Sequence, residues 1–159
     1  METLREVFVE LGFDNVRSYI NSGNIFFNTD IADKKQLTTS IEQRLNERLG
    51  YEVPTFLRST SELEAVLSQD PFKTTELTDD KRFCVIFTNE PINLKSTLPY
   101  LSSKNDMELI SANPYEAFVV WHIINGRPPA GKFSEDMIPP KNTTRFYHTL
   151  TKIVQAAKV

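Results

Sequence analysis

Cysteine occurs once in the 159 residues and histidine twice, and each scarcity removes a class of protein. The single thiol, Cys84, sits in the apolar run RFCVIF, so an internal disulfide and a cysteine-based metal site are both ruled out; a small hydrophobe in a core is the role that setting gives it. The two histidines, His122 and His148, come with no HExxH, P-loop or Gly-x-Ser-x-Gly pattern, which leaves zinc hydrolase, NTPase and α/β-hydrolase readings without support. No cofactor and no metal are expected. No run approaches the roughly 18 to 20 apolar residues of a membrane span, and the opening METLREVFVELGF reads as a charged amphipathic helix rather than a signal peptide. A cytoplasmic chain without a membrane partner is expected. A surplus of positive charge is missing too: 18 Lys+Arg against 21 Asp+Glu leave a net charge of −3, which speaks against general affinity for nucleic acid, whose phosphates need concentrated cations.

What is present is a 40% hydrophobic chain, long enough to bury a core as one compact domain or two small ones. The spacing Leu4, Phe8, Leu11 predicts a first helix, stopped by Gly12 to Asn15; Val16 to Ile20 and Asn24 to Asn28 follow as a hairpin about Ser22-Gly23. Ile41, Leu45 and Leu49 mark a second helix from about Asp33, ended by Gly50. VPTFLRS reads as a strand starting near Pro54, and Ser59 with Glu62 has the spacing of a capping box opening a short helix. A second round begins at Lys81: the strand RFCVIFT, a helix from about Asn93 to Leu101, the strands MELISA and AFVVWHI, a loop NGRPPAGKF, a turn near Ser134 to Ile138 and a final helix from about Thr144 to Ala157. In symbols this is αββαβα over residues 1–78 and βαββα over 79–159. The fold class expected is α+β, two ferredoxin-like (split βαβ) halves, the first lacking its opening strand. In that arrangement the opening strand is central, and unpaired backbone groups in mid-sheet cost about 1–3 kcal/mol each when buried. Either another strand fills the gap, the fold differs, or the native polypeptide begins earlier.

A two-residue loop at Ser22-Gly23 pairs Arg17 with Asn28, Tyr19 with Phe26 and Asn21 with Asn24. One face is then Val16, Ser18, Ile20, Ile25 and Phe27, suited to packing beneath helices; the other carries Arg17, Tyr19, Asn21, Asn24, Phe26 and Asn28. Three readings of that polar-aromatic face compete: core aromatics with Arg17 held by a carboxylate, a ligand or anion site between the halves, or an open sheet face stacking RNA bases. The terminal helix raises the same choice. Arg145, His148, Thr149 and Lys152 at i, i+3, i+4 and i+7 share one face, while Phe146, Leu150, Ile153 and Ala157 form the apolar stripe; the face is either solvated or an anion site. From Ala130 onward five basic residues meet two acidic ones, against 13 and 19 before it. In VVWHI, His122 alternates with Trp121, so one of them faces the core, and a backbone acceptor is the expected partner of the imidazole. Asp79 and Asp80 lie in a polar linker and serve solubility.

The segments LGFDNVRSYINSGNIFF and TTRFYHTLTKI resemble the most recognisable parts of the bacterial family known as domain of unknown function 1697, over nearly the whole chain. Members of that family usually carry an extra strand and a glycine-rich turn, of the kind LLRGINVGG, just before the helix that opens here at Met1. Where the family's last helix commonly reads Arg-Asn-Trp-Asn-Thr, this sequence has Arg145, Phe146, Tyr147, His148 and Thr149, so a role resting on those two asparagines does not carry over. The resemblance implies architecture and leaves the activity open. The function expected is a non-enzymatic binding module for an anionic or nucleotide-like small molecule between the halves: Arg17, Arg145 and Lys152 supply charge, Tyr19 a stacking surface, Asn21 and Asn24 hydrogen bonds, with His148 beside them. The alternatives are a phosphate-handling enzyme using His148 as acid or base, an RNA-binding sheet face, and a purely structural or interaction protein.

Overall fold

A computed structural model describes residues 2–19 and 23–158. Along the chain run α1 (Glu2–Glu10), β1 (Asp14–Tyr19), β2 (Asn24–Asn28), α2 (Lys34–Leu49), α3 (Thr60–Ser68), β3 (Lys81–Thr88), β4 (Tyr100–Leu101), β5 (Met107–Ala112), β6 (Glu116–His122), β7 (Asn142–Phe146) and α4 (Tyr147–Ala157). The protein is α+β, as expected. By contacts the chain forms two compact units, residues 1–60 with 153–159, and residues 61–152; the division at 78/79 drawn from element order follows a different criterion. No described helix is long and apolar enough to cross a membrane.

In the first unit α1 buries Val7 and Phe8, and Gly12, at φ +87°, turns the chain where a Cβ would be strained. The α2 helix begins and ends as its sequence dictates. Asp33 accepts from the Gln36 amide, Gly50 is left-handed at φ +81° with its N–H on the Asn46 carbonyl, and Leu37, Ile41 and Leu45 form the buried stripe. These close over Phe8, Phe13 and the hairpin residues Val16, Ile25 and Phe27; the Phe13 and Phe27 rings stack at 4.5 Å. Residues 53–59 form no ladder among the described residues, contrary to the strand expected there. The sheet of this unit has two strands, β1 and β2, and the segment is held by Val53 and Leu57 against the same core.

The second unit is built on an antiparallel sheet of order β4-β5-β6-β3-β7. Leaving aside the two-residue β4, its strands numbered by appearance run 4-1-3-2, the order of a split βαβ unit. The connections differ from that plan. The helix expected over Asn93–Leu101 is absent: Pro91 precedes the segment and Pro99 interrupts it, the Ile92 and Asn93 amides donate to the carbonyls of Pro114 and Met137, and Tyr100–Leu101 pairs with β5 instead. The final helix also starts later than expected, at Tyr147, because Asn142–Phe146, with two β-branched threonines, completes a ladder along β3. The turn near Ser134 is present, with the Met137 and Ile138 amides on the Ser134 carbonyl.

Alternation along β3 divides the sheet. Phe83, Val85 and Phe87 lie on one face with Phe118 and Val120 of β6 and Arg145 of β7. Phe72 covers this face, stacked on Phe83 at 4.4 Å and edge-on to Phe118 and Tyr147. The opposite face holds Arg82, Cys84 and Ile86 with Val119, Trp121 and Phe146, and Met137, Ile138 and Phe133 pack on its apolar part.

Candidate ligand-binding site

The hairpin ladder pairs Arg17 with Phe26, Ser18 with Ile25 and Tyr19 with Asn24. This is two residues away from the expected register, and an irregularity lies between Asp14 and Arg17; the turn expected about Ser22-Gly23 falls on residues outside those described. A shift of two leaves every side chain on its own face, where a shift of one would have exchanged the faces. Arg17, Tyr19, Asn24 and Phe26 therefore share a face as expected; Asn21 lies outside the described residues.

Arg17 has other work on that face. Its NH1 donates to the Ala156 carbonyl and its NH2 to the Ala157 carbonyl, each at 3.1 Å, and its guanidinium carbon is 5.3 Å from the centre of the Phe26 ring. A cation on the last carbonyls of a helix satisfies acceptors that have no intrahelical partner and meets the negative end of the macrodipole. The Asn24 side chain donates to the Tyr19 carbonyl at 3.3 Å, and the Tyr19 and Phe26 rings lie 6.5 Å apart. The geometry shows Arg17 as a clasp for the end of α4.

Arg145 stands on β7, so it does not share a helix face with His148, Thr149 and Lys152. Its NH1 donates to Thr143 Oγ1 and to the Thr144 carbonyl, at 2.8 and 2.9 Å, and burial lowers its pKa. His148 and Lys152 remain one turn apart on α4, both exposed. The residue that meets His148 is Phe146: the rings are 5.8 Å apart with planes within 11°. Phe146 also makes an edge contact with Trp121, at 5.4 Å and 81°. Trp121 and Phe146 belong to strands on either side of β3, about two strand spacings or 9–10 Å apart. On β3 between them, Cys84 pairs with Phe146 and Arg82 with Trp121, so the two rings meet diagonally across that strand. Cys84 has no exposure, and its burial pushes the thiol up to about 12.

This row of Trp121, Phe146 and His148 was not read from the sequence. Its signal was the odd Trp-His end of β6 opposite Arg82, together with an apolar residue at 146 that a helical reading assigns to a buried stripe. Phe146 is in fact 37% exposed. His122 faces the Glu108 carboxylate at 3.5 Å, where a backbone acceptor was expected. Also unforeseen is Asp106, buried between β4 and β5. Its carboxylate accepts from the Ala130 and Gly131 amides at 2.7 and 2.9 Å and from the Ser102 hydroxyl at 2.7 Å. Among the described residues no group of three or more His, Cys, Asp or Glu side chains is placed to hold a metal ion.

An α+β sheet protein with an exposed aromatic row at the β7–α4 junction is the class this geometry defines. The chain belongs to the family described as "Protein of unknown function (DUF1697)", whose model matches residues 1–118. Among solved structures it is similar to one described as that of conserved bacterial protein SP0830 from Streptococcus pneumoniae. That likeness has 26% sequence identity and a TM-score of 0.66 over 100% of this chain and 89% of the other. No curated protein matches.

Proposed function

We propose that this protein is a cytoplasmic binding module for a small anionic molecule, and that its recognition surface is the β7–α4 junction. The observation that carries the reading is the exposed Phe146–His148 pair with Lys152 one turn further along α4. A cation and a histidine on one helix face supply charge and hydrogen-bond donors for a phosphate or carboxylate, and the ring beside them excludes water from one side of the contact. The basic excess after Ala130 favours this end of the chain. Arg17 and Arg145, expected as ligands from the sequence, are engaged with backbone carbonyls, so the charge in this reading comes from Lys152, with His148 offering a ring N–H.

The test is thermal unfolding of the intact chain against inorganic phosphate, ribose 5-phosphate, citrate and AMP. A ligand that binds only the folded state raises the midpoint in proportion to the logarithm of its concentration. At least one of these anions is expected to do so in the wild type and to lose the effect in a His148→Ala, Lys152→Ala double variant. A midpoint indifferent to all four anions refutes the reading.

A further inference from the structure

We infer that Asn125 is a site of spontaneous deamidation in the folded protein, its side-chain amide displaced by the Gly126 backbone nitrogen and replaced by aspartate and isoaspartate. This is independent of the binding reading above.

Asn125-Gly126 is the sole Asn-Gly pair in the sequence. It forms the tip of a two-residue turn: both residues have positive φ, +54° and +71°, and Ile124 and Arg127 exchange backbone hydrogen bonds at 3.2 and 3.0 Å across it. That is the type I′ geometry which asparagine and glycine favour. Three features lay the reaction centre open. Residues 124–128 are all exposed. A Cβ placed on Gly126 would meet nothing within 4 Å, so leaving ammonia and incoming water have room. Among the described residues neither the Gly126 amide nor the Asn125 side chain is engaged in a hydrogen bond.

The turn is closed by a single bridge, since Pro128 follows Arg127 and has no N–H to extend the ladder. Firm anchors lie on either side of it. The Ile123 amide donates to the Asp80 carbonyl at 2.7 Å, and the Ala130 and Gly131 amides donate to the Asp106 carboxylate. Residues 124–129 therefore open without disturbing the sheet, and a loop tip held by so few exposed bonds stands at the low end of local opening free energies. Once the bridge breaks, rotation about the Asn125 Cα–C bond brings the Gly126 nitrogen to Asn125 Cγ, and glycine has no Cβ to shield it. The N–Cγ bond forms, the Cγ–Nδ2 bond breaks, and ammonia leaves with the proton that the Gly126 amide gives up, forming a succinimide. Water then opens one imide carbonyl to give aspartate or the other to give isoaspartate, in which the backbone runs through the former side chain. Two other loop asparagines lack what Asn125 has. Asn113 precedes Pro114, which has no N–H to lose, and the amide after Asn105, that of buried Asp106, donates to Ser102 Oγ at 3.2 Å.

The experiment holds the intact chain at mildly alkaline pH, which favours loss of the amide proton, and follows it by ion exchange and peptide mass mapping. A more acidic species is expected, its new carboxylate mapped to residue 125 before any other asparagine, with aspartate and isoaspartate both present. Its rate of formation should lie within about ten-fold of the rate in urea, where the bridge is absent. Asn125→Gly, which keeps a residue suited to positive φ, should retain the wild-type thermal midpoint and form no such species. The deamidated chain should also keep that midpoint, because the anchors outside the turn are intact. An acidic species mapped first to another asparagine overturns the inference, as does an Asn125 that reacts in urea yet stays intact in native buffer. A fall in the midpoint on conversion overturns the claim that the turn opens alone.

Discussion

Replacing Asp106 by asparagine changes one atom and removes a set of hydrogen bonds that an amide cannot rebuild. Ser102 Oγ already accepts from two backbone amides, those of Asp106 at 3.2 Å and Met107 at 3.0 Å. Its two lone pairs are thereby used, and its proton is committed to Asp106 Oδ1. The other carboxylate oxygen accepts from Ala130 and Gly131. Both sides of the carboxylate therefore face donors, and whichever way an asparagine is turned its NH2 meets one of them. Asp106 is only 6% exposed, so water does not readily take over. One stranded buried donor costs about 1–3 kcal/mol. Asp106→Asn should therefore cost about 1–3 kcal/mol, read as a fall in the urea midpoint at neutral pH.

The pH dependence is a second arm of the same assay. Burial pushes the Asp106 carboxyl up, but the Ser102 hydroxyl and the Gly131 and Ala130 amides outweigh it and hold the pKa below the ordinary value. A depressed folded-state pKa gives stability that is present above the unfolded value, about 3.9, and is lost as pH falls through the folded one. The gap between wild type and Asp106→Asn should narrow in acid. An asparagine variant as stable as wild type at pH 7, or a gap that widens on acidification, refutes the hydrogen-bond argument.

Arg17→Met should cost about 1–2 kcal/mol by leaving the last α4 carbonyls unpaired, and hydrogen exchange at the end of α4 should quicken; an unchanged exchange rate there would show that the clasp is not needed. A Cβ at Gly131 would stand 2.5 Å from Asp106 Oδ1 and 2.9 Å from the Lys104 amide, so Gly131→Ala should destabilise by about 1–3 kcal/mol. In a double-mutant cycle with Asp106→Ala the two costs should fall short of additive, because one loosens what the other crowds. Cys84, buried and with its thiol pKa pushed up to about 12, should resist a thiol-specific reagent until the protein unfolds; prompt modification under native conditions would contradict its burial in the sheet.

The hairpin faces were legible because alternation has a period of two: a register misjudged by two residues still sorted Arg17 and Tyr19 from Ile25 and Phe27. The limits of α2 were legible because Asp33 and Gly50 act locally, on amides and carbonyls within one turn. The start of α4 was not, since the apolar and basic positions of residues 144–152 fit a helical stripe, and only pairing with β3, some sixty residues away, makes Asn142–Phe146 a strand. Helix spacing over Asn93–Leu101 misled in the same way, the Asn93 amide being taken by the distant Met137 carbonyl and Tyr100–Leu101 by pairing with β5. Of the expected site, His148 and Lys152 do share a helix face. Arg145 left them with the strand, and Phe146 took the place beside His148.

The position of Arg145 bears on how the molecule behaves in a crowd. β7 closes one side of the five-stranded sheet, and a closing strand is where a stranger's backbone can dock and extend the ladder into an aggregate. A chain arriving there meets a half-desolvated guanidinium already bonded to Thr144 of the same strand, which would have to be dislodged and left without compensation. Evolution has long used charge at sheet borders to keep neighbours apart, and substituting an uncharged side chain here would remove a guard against self-association.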